Sequence, residues 1–326
     1  MQFIQVEKIF DISSPGNMET VIKIEGIKKR YGDFTAVDGL SFDIFRNEVF
    51  GLLGPNGAGK TTTINMICGL LPVSEGKITF FNHQGKDRKS LIGYCPQENI
   101  FYPKLTCLEQ LLFIGQIYGI SSNLIKTKAL DLLERLGLED KTNVRASNLS
   151  GGMKRRLNIC LALIHDPEIL ILDEPESGLD PQSRILVRDF IKTFGKQKTV
   201  ILTTHNMDEA DRLSDRVAII DHGKLLLSDT PHNLKRTVGE GDILELILEN
   251  RNEAAMNLFL QNVSLLSMEI KINADSVLIK HPKIIEQLPV LKNIAEKIGL
   301  KISEIKLREN SLEDVFIHLT GRKLRQ

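Results

Sequence analysis

Short continuous runs of apolar residues recur along the chain from Val21 to about Val238. Such runs are typical of strands that are buried on both faces of a mostly parallel sheet. Their alternation with helical segments favours an α/β fold with three layers. The predicted strands are Val21–Ile27, Leu40–Ile44, Val49–Leu53, Gly76–Phe80, Ile92–Cys95, Ile169–Leu172, Thr199–Thr203 and Arg216–Asp221.

One stretch between these strands has a different pattern. Residues 106–137 are rich in Leu and Ile at helical spacing and carry no strand signal. This pattern predicts a helical subdomain, at about residues 100–160, inserted into the α/β fold.

The order of predicted elements changes after about Gly239. Strand, helix, strand, strand, helix and strand follow one another, which is the order of the split βαβ, ferredoxin-like fold. We therefore predict a small α+β domain at the C-terminal end. Its predicted elements are Asp242–Glu249, Asn252–Leu260, Leu266–Ile272, Ser276–Lys280, Pro289–Ile298 and Lys301–Leu307.

A last helix is predicted to begin after Ser311, with Ser311 as its N-cap and Asp314 as the acid of a capping box. Its apolar residues have the spacing of one helix face. That face can dock on its own domain or contact a second copy, and the sequence leaves both hypotheses open. The residues of the face are Leu312, Val315, Phe316 and Leu319.

The N-terminal end shows no clean pattern. Residues 13–17 are helix and strand breakers, so residues 1–20 are predicted to be a tail, and Met18 is an alternative start of translation. The predicted domains are then residues 21–238, the α/β part, and residues 239–326, an accessory or regulatory part.

Composition narrows the class of protein. The 326 residues include 42 Lys and Arg and 42 Asp and Glu, a balance that gives no support for nucleic-acid binding. The four cysteines form no CxxC pair, which favours free thiols. No apolar run reaches the ~18 residues that span a bilayer, so we expect the chain itself to be soluble.

The segment after the Val49–Leu53 strand matches the pattern GxxxxGK[ST]. Glycines let backbone N–H groups cradle phosphate oxygens, and a helix that begins at Lys60 directs its positive dipole end toward the same anion. Lys60 is expected to reach the β- and γ-phosphates, and the Thr61 hydroxyl to ligate Mg²⁺. The predicted nucleotide-binding residues of this segment are Gly54, Pro55, Asn56, Gly57, Ala58, Gly59, Lys60, Thr61 and Thr62.

Two carboxylates follow the Ile169–Leu172 strand. In open α/β sheets, reactive groups gather at the carboxyl ends of the strands. Asp173 is therefore expected to hold Mg²⁺, and Glu174 to orient or deprotonate the attacking water. Two exposed acids that cap a loop are the alternative, which the upstream phosphate loop disfavours.

Two further polar residues follow strands. A lone histidine is more often structural than catalytic, but His205 comes after the Thr199–Thr203 strand, from where it can reach a γ-phosphate. Gln97 follows the Ile92–Cys95 strand and offers an uncharged oxygen to Mg²⁺ or to the water. Sequence spacing alone does not decide the role of Gln97.

The segment Leu149-Ser150-Gly151-Gly152-Met153 resembles the signature of the ATP-binding cassette (ABC) family. It stands upstream of Asp173 and Glu174, as in that family. A serine, glycine amides and a helix N-terminus again suit an anion. An ordinary serine N-cap is compatible with the same residues.

The resemblance implies further roles. Tyr31 matches the aromatic residue that stacks on adenine, Gln97 the Q-loop, Asp180 the D-loop and His205 the switch histidine. It also implies that each ATP lies between two cassettes, bound by Lys60 and Thr61 of one copy and by Ser150, Gly151 and Gly152 of the other. The partners implied are a second cassette, in the simplest case a second copy of this chain, and a separate transmembrane permease.

The chain departs from the family pattern at two positions. Met153 stands where Gln is common, and Glu176 stands where Thr or Ser is usual. Neither position carries the phosphate chemistry. These departures put only the fine kinetics of the reaction in doubt.

The ending of the chain, from Ser311 to Arg322, is similar to that of drug-resistance-type export ATPases of the family. This similarity implies an exporter ATPase held by its permease at the cytoplasmic face of the membrane, with ATP and Mg²⁺ as cofactors. A non-transport ABC ATPase and an importer ATPase are the alternatives. Copurification with a membrane protein would exclude the non-transport class.

Overall fold

A computed structural model describes residues 19–81, 87–237, 242–249, 253–266, 268–272, 276–281 and 283–321. The strands are β1 (Thr20–Tyr31), β2 (Phe34–Phe45), β3 (Val49–Leu53), β4 (Glu75–Phe80), β5 (Ile92–Cys95), β6 (Ile169–Asp173), β7 (Thr199–Thr204), β8 (Arg216–Asp221), β9 (Lys224–Asp229), β10 (Asp242–Glu249), β11 (Glu269–Ile272), β12 (Val277–His281) and β13 (Lys301–Arg308). The helices are α1 (Lys60–Ile67), α2 (Arg88–Leu91), α3 (Cys107–Ile117), α4 (Ser122–Arg135), α5 (Gly151–Leu163), α6 (Pro181–Gly195), α7 (Met207–Leu213), α8 (Pro231–Arg236), α9 (Glu253–Ser264), α10 (Ile284–Ile298) and α11 (Leu312–Thr320).

The central sheet has the strand order β5-β6-β7-β3-β8-β9. Four neighbouring pairs are parallel: β5 with β6, β6 with β7, β7 with β3, and β3 with β8. Every residue of β3, β6 and β7 is buried. The predicted α/β class with a mostly parallel sheet is therefore confirmed. Because parallel strands end at the same edge, the residues that follow β3, β5, β6 and β7 meet there.

A second sheet is antiparallel, with the order β2-β1-β4. β1 and β2 form a hairpin that continues to the pair Tyr31 and Phe34, well beyond the predicted Val21–Ile27 and Leu40–Ile44. The extra residues are largely polar and half-exposed, so they lack the continuous apolar run on which the prediction rested.

The predicted helical insertion lies between β5 and β6. α3 begins with a complete capping box between Thr106 and Glu109, and Leu111, Ile125 and Leu133 of α3 and α4 are fully buried in one core. α5 packs against both helices and against β5. It thereby links the helical insertion to the parallel sheet.

The C-terminal sheet has the order β11-β12-β10-β13, and all of its pairs are antiparallel. Leu244, Leu246 and Leu248 of β10 alternate with outward-facing residues and pack against α9 and α10. This order is the one that a split βαβ fold produces, as predicted.

One helix boundary in this region corrects the prediction. α10 begins at Ile284, five residues before Pro289, where the sequence placed the helix start. A proline inside a helix costs a hydrogen bond. The buried face formed by Ile284, Leu291 and Ala295 outweighs that cost.

α11 has the predicted N-cap Ser311 and a capping box with Asp314. Leu312, Val315 and Phe316 are buried within the chain, and α11 packs against α8. The docking hypothesis is therefore correct for these three side chains, which are not available to a second copy, whereas Leu319, the fourth residue of the predicted face, is 38% exposed.

The chain divides into two compact units. One contains residues up to His205 and residues 213–226, and the other contains residues 206–212 and those from Leu227 onward. The domain limits predicted from the sequence stay a proposal, and residues 1–18 of the predicted tail lie outside the described residues. Within the described part of the chain, no helix has both the length and the apolar character needed to cross a bilayer.

Candidate nucleotide-hydrolysis site

The loop between β3 and α1 is shaped by glycine. Gly57 and Gly59 have φ angles of 82° and 101°, a region that disfavours side chains. A methyl group on Gly59 would also lie 2.7 Å from the Ala36 carbonyl oxygen of β2. α1 begins directly after this turn, so its N-terminal N–H groups open toward the loop, as an anion site requires.

Lys60 is held inside this loop. Its ammonium donates to the carbonyl oxygens of Gly54 at 2.8 Å and Pro55 at 3.2 Å, and only 6% of the residue is exposed. Burial lowers the pKa of Lys60, against the opposing effect of Glu174 and Asp173. A buried cation beside backbone N–H groups is suited to bind phosphate.

Asp173 ends β6 and is 1% exposed. The Thr61 hydroxyl donates to its Oδ2 at 3.0 Å, and the Thr203 hydroxyl of β7 donates to its Oδ1. The structure thus joins α1, β6 and β7 through one carboxylate. It brings together the two oxygen donors, Thr61 and Asp173, that the sequence predicted as metal ligands.

Glu174 adopts a left-handed backbone with φ of 52°, which is unfavourable by about 1–2 kcal/mol for a residue with a side chain. Its N–H donates to the Thr203 carbonyl oxygen at 3.1 Å and lies 3.2 Å from the Thr203 hydroxyl. Strain of this kind is often found at functional sites. Thr203, which sequence reasoning missed, therefore holds both acids at the end of β6.

Three side chains converge on the Glu174 carboxylate. Its Oε1 lies 2.8 Å from His205 Nδ1 and 3.9 Å from Lys60 Nζ, and its Oε2 accepts from Gln97 Nε2 at 3.3 Å. Its side chain is 8% exposed, whereas that of His205 is 45% exposed. A carboxylate in contact with an amide, an imidazole and the phosphate-loop lysine can accept a proton from a water placed among them.

Arg155, another residue that the site prediction missed, supports this arrangement from α5. Its guanidinium donates to the backbone carbonyls of Pro96, Gln97 and Asp173, and it is 3% exposed. One side chain thus fixes the segments that carry Gln97 and Asp173. Its position two residues after the signature segment was the only sequence signal.

Ser150 and Gly152 lie at the start of α5. Ser150 is the N-cap and accepts from the Met153 N–H at 3.3 Å. A methyl group on Gly152 would lie 2.9 Å from Asp180 Oδ2, so the signature segment abuts the N-terminus of α6. Asp180 caps α6, and the Ser183 N–H holds the pKa of Asp180 below its usual range.

Within the described residues, Ser150, Gly152 and Asp180 share no hydrogen bond or ion pair with Lys60 or Glu174. In the bonded contacts that the structure describes for one chain, the predicted nucleotide-binding residues therefore form two groups that are not bonded to each other. This separation is what a site completed by a second copy requires.

The other predicted binding residues differ in their exposure to solvent. Tyr31 ends β1 with 51% of its surface exposed, and the Lys29 ammonium lies 5.2 Å from its ring centroid. Asn56 and Gly151 are exposed, whereas Ala58 is buried at the base of the loop. Thr62 follows Thr61 in the first turn of α1 and is partly exposed.

Glu176, which departs from the family pattern, has local partners. Its carboxylate accepts two hydrogen bonds from the Arg188 guanidinium, at 3.0 Å and 2.8 Å, and Arg184 lies 3.8 Å away. Glu176 is 6% exposed, and a buried carboxylate requires such compensation. It therefore ties the segment after Glu174 to α6.

The donor set fits Mg²⁺. The Thr61 hydroxyl, the Asp173 carboxylate and the Gln97 amide are oxygen-bearing groups, which this ion prefers to nitrogen or sulfur. Mg²⁺ also keeps several of its waters and binds protein through few carboxylates, which agrees with Asp173 as the one carboxylate among these three groups.

The chain is similar in sequence to known proteins. A sequence model of the ABC transporter family matches residues 37–177. The chain is 40% identical over 315 residues to the linearmycin resistance ATP-binding protein LnrL of Bacillus subtilis, which covers 94% of this chain and 100% of that protein. It is 38% identical over 313 residues to the Nod factor export ATP-binding protein I of Rhizobium sp. strain N33, with 94% and 99% covered.

Solved structures with a similar fold belong to the same family. A dimeric bacterial ABC transporter cassette matches with a TM-score of 0.59 at 27% identity, over 64% of this chain and 98% of that one. The phosphate loop, the paired acids and the signature segment thus occur on the fold of that cassette. This chain belongs to the ABC transporter family, as one of its ATP-binding subunits.

Proposed function

We propose that this chain is the ATP-hydrolysing subunit of an ABC exporter and that it powers a separate membrane permease. The observation that carries the proposal is the convergence of Lys60, Gln97 and His205 on the Glu174 carboxylate, one residue after Asp173. The names of the relatives, a resistance protein and an export protein, support the export direction.

In this proposal the loop from Gly54 to Thr62 binds the ATP phosphates, and Tyr31 stacks on the adenine. Thr61, Gln97 and Asp173 would hold Mg²⁺, which when bound would neutralise charge on the transferred phosphoryl group. Glu174 takes a proton from the attacking water. His205 keeps the Glu174 carboxylate in place and lies within reach of the γ-phosphate.

The second half of each site comes from a second cassette. Ser150, Gly151, Gly152 and Asp180 of one copy face the ATP held by the other copy. Their separation from Lys60 and Glu174 within one chain supports this arrangement. Binding of ATP closes the pair of cassettes, and hydrolysis reopens it.

The permease places the chain at the cytoplasmic face of the membrane. We expect that permease to select the transported molecule, because in this proposal the described residues of the site bind and hydrolyse ATP. An importer ATPase remains the second candidate, since the same site drives either direction of transport.

The nucleotide site is tested by substitution of Lys60. Lys60→Ala removes a charge-assisted contact to phosphate, so affinity for an ATP analogue should fall by about ten- to a hundredfold. Lys126→Ala, which removes an exposed lysine of α4, is the matched control and should leave the affinity unchanged. Unchanged affinity in Lys60→Ala would exclude the phosphate role.

The transport role is tested by isolation of the tagged chain from native membranes. We expect one type of integral membrane protein to copurify in a fixed ratio. Recovery of the chain without any membrane protein, after mild solubilisation or cross-linking, would favour the non-transport class.

A further inference from the structure

β13 is an exposed edge of the C-terminal sheet. Among the described strands it pairs with β10 alone, and most of its side chains face solvent. Ile305 and Leu307 are 43% and 48% exposed. An edge with free backbone groups and exposed apolar side chains is suited to pair with another strand.

The regular part of this edge runs from Glu304 to Arg308. A register shift between the pairs Ile247–Glu304 and Leu248–Ile302 leaves Ser303 as a bulge, so pairing with a further strand is regular only after it. Ile305 is the second residue of the regular part. Glu304 and Lys306 lie on one face of the sheet, and Ile305 and Leu307 lie on the other.

The charges of this stretch select a register for pairing with a second copy of itself. In an antiparallel pair related by a two-fold axis, the central residue faces its own counterpart. Axes at Glu304 or at Lys306 would set two like charges opposite one another, which is unfavourable. An axis at Ile305 sets Glu304 of each copy opposite Lys306 of the other and places the two isoleucines together.

We propose that β13 of two copies pair antiparallel about Ile305 and join two C-terminal sheets into one eight-stranded sheet. This contact lies outside the nucleotide site and does not depend on the proposed function. It would hold two chains together in the absence of ATP. α11 is less suited to supply this contact, because three of the four residues of its apolar face, Leu312, Val315 and Phe316, are buried within its own chain.

A protected edge is the competing interpretation. Lysine side chains and a bulge are features that prevent edge pairing in many proteins. The two interpretations differ in their predictions, because protection requires only positive charge, whereas pairing requires Glu304 and Lys306 to be complementary.

Disulfide trapping tests the register in the full chain, without nucleotide and with a chelator present. Directly opposite residues have Cα atoms about 4.5–5.5 Å apart, within the range for a disulfide. Ile305→Cys should therefore form a covalent dimer on mild oxidation. Leu307→Cys, on the same face, would lie about 13 Å along the strand from its counterpart and should stay monomeric.

Wild-type protein gives the background, since Cys95, Cys107 and Cys160 are buried and Cys68 is partly buried. Equal trapping of both variants, or trapping of neither, would overturn the proposed register.

Charge reversal tests the pairing without any cross-link. Lys306→Glu sets four carboxylates together, so the dimer dissociation constant, measured by sedimentation, should rise by about tenfold or more. The double variant Glu304→Lys with Lys306→Glu restores both pairs and should return the constant to near the wild-type value. A monomeric wild-type chain, or failure of the double variant to recover, would refute the proposal. Unchanged thermal unfolding of the variants would show that the C-terminal unit, which carries the substitutions, is folded.

Discussion

Arg155 and Arg156 are adjacent buried arginines of α5 that donate hydrogen bonds to different parts of the chain. The Arg155 guanidinium serves the carbonyls of Pro96, Gln97 and Asp173, whereas that of Arg156 donates to Leu136 at 2.7 Å and Gly137 at 2.8 Å in the helical insertion. Only the first set touches the candidate site. Substitutions at the two positions can therefore distinguish an effect on the site from an effect on the fold alone.

Arg155→Lys keeps the charge but cannot reach three carbonyls with one planar group. We expect the free energy of unfolding to fall by about 1–3 kcal/mol and ATP turnover to fall about tenfold well below the melting temperature. Arg156→Lys is the control, with a similar loss of stability and near-normal turnover. Equal turnover in both variants would contradict a positioning role for Arg155.

At this scale the sequence predicts residues whose chemistry is local. Asp173, Glu174 and His205 could be chosen because each lies at the carboxyl end of a buried strand. Arg155 and Thr203 could not be chosen in this way, because both contact Asp173, which is 18 residues from Arg155 and 30 residues from Thr203 along the chain. Such contacts depend on the packing of α5 and β7 against β6.

Among the elements, α11 has the strongest local determinants. Asp314 closes the capping box with Ser311 and accepts from the Arg308 guanidinium of β13. Burial alone would raise the pKa of Asp314, but the bonds from Arg308 and Ser311 outweigh it and lower the pKa to about 2. The ionised carboxylate therefore stabilises the folded C-terminal unit.

The lowered pKa gives a prediction for acid stability. An unfolded aspartate has a pKa of about 3.9, so the contribution of Asp314 is complete above about pH 4 and is lost as the pH falls toward 2. Asp314→Asn should lower the free energy of unfolding by about 1–2 kcal/mol near pH 7, with a smaller difference from wild type near pH 2.

Glu313→Gln is the matched control, because Glu313 is exposed in the same helical turn. Denaturant titrations at several pH values measure both variants. A difference between Asp314→Asn and wild type that does not change with pH would contradict the account.

Elements with strong patterns were predictable, and elements set by tertiary contacts were less so. β3, β5 and β8 have the predicted bounds, because each is a short apolar run with clear breaks. β9, whose residues are only partly buried, carried too weak a pattern to be predicted. The early start of α10 depends on the burial of Ile284 in the C-terminal core.

At the scale of the whole molecule, the proposed function requires that one chain holds two incomplete halves of a site. We therefore expect a mixture of Ser150→Arg and Lys60→Ala chains to recover activity that neither variant has alone. In a mixed dimer one composite site carries both substitutions and the other carries none. The measurement is phosphate release as a function of the mixing ratio.

Each variant alone is the control, together with ATP-analogue binding by Ser150→Arg, which should be retained. If phosphate release by the mixture never exceeds that of either variant alone, a site shared between copies is contradicted for a dimer in which one intact site suffices for hydrolysis. Loss of binding by Ser150→Arg alone would place Ser150 in the site of its own chain.

The most direct test of the central claim is phosphate release by Glu174→Gln. The substitution keeps the shape of the side chain and removes the group that accepts the proton, so turnover should fall by about a hundredfold or more while ATP still binds. An ATP-bound dimer should then accumulate. Near-normal phosphate release by the folded, ATP-binding variant would contradict the assignment of Glu174 and with it the proposed mechanism.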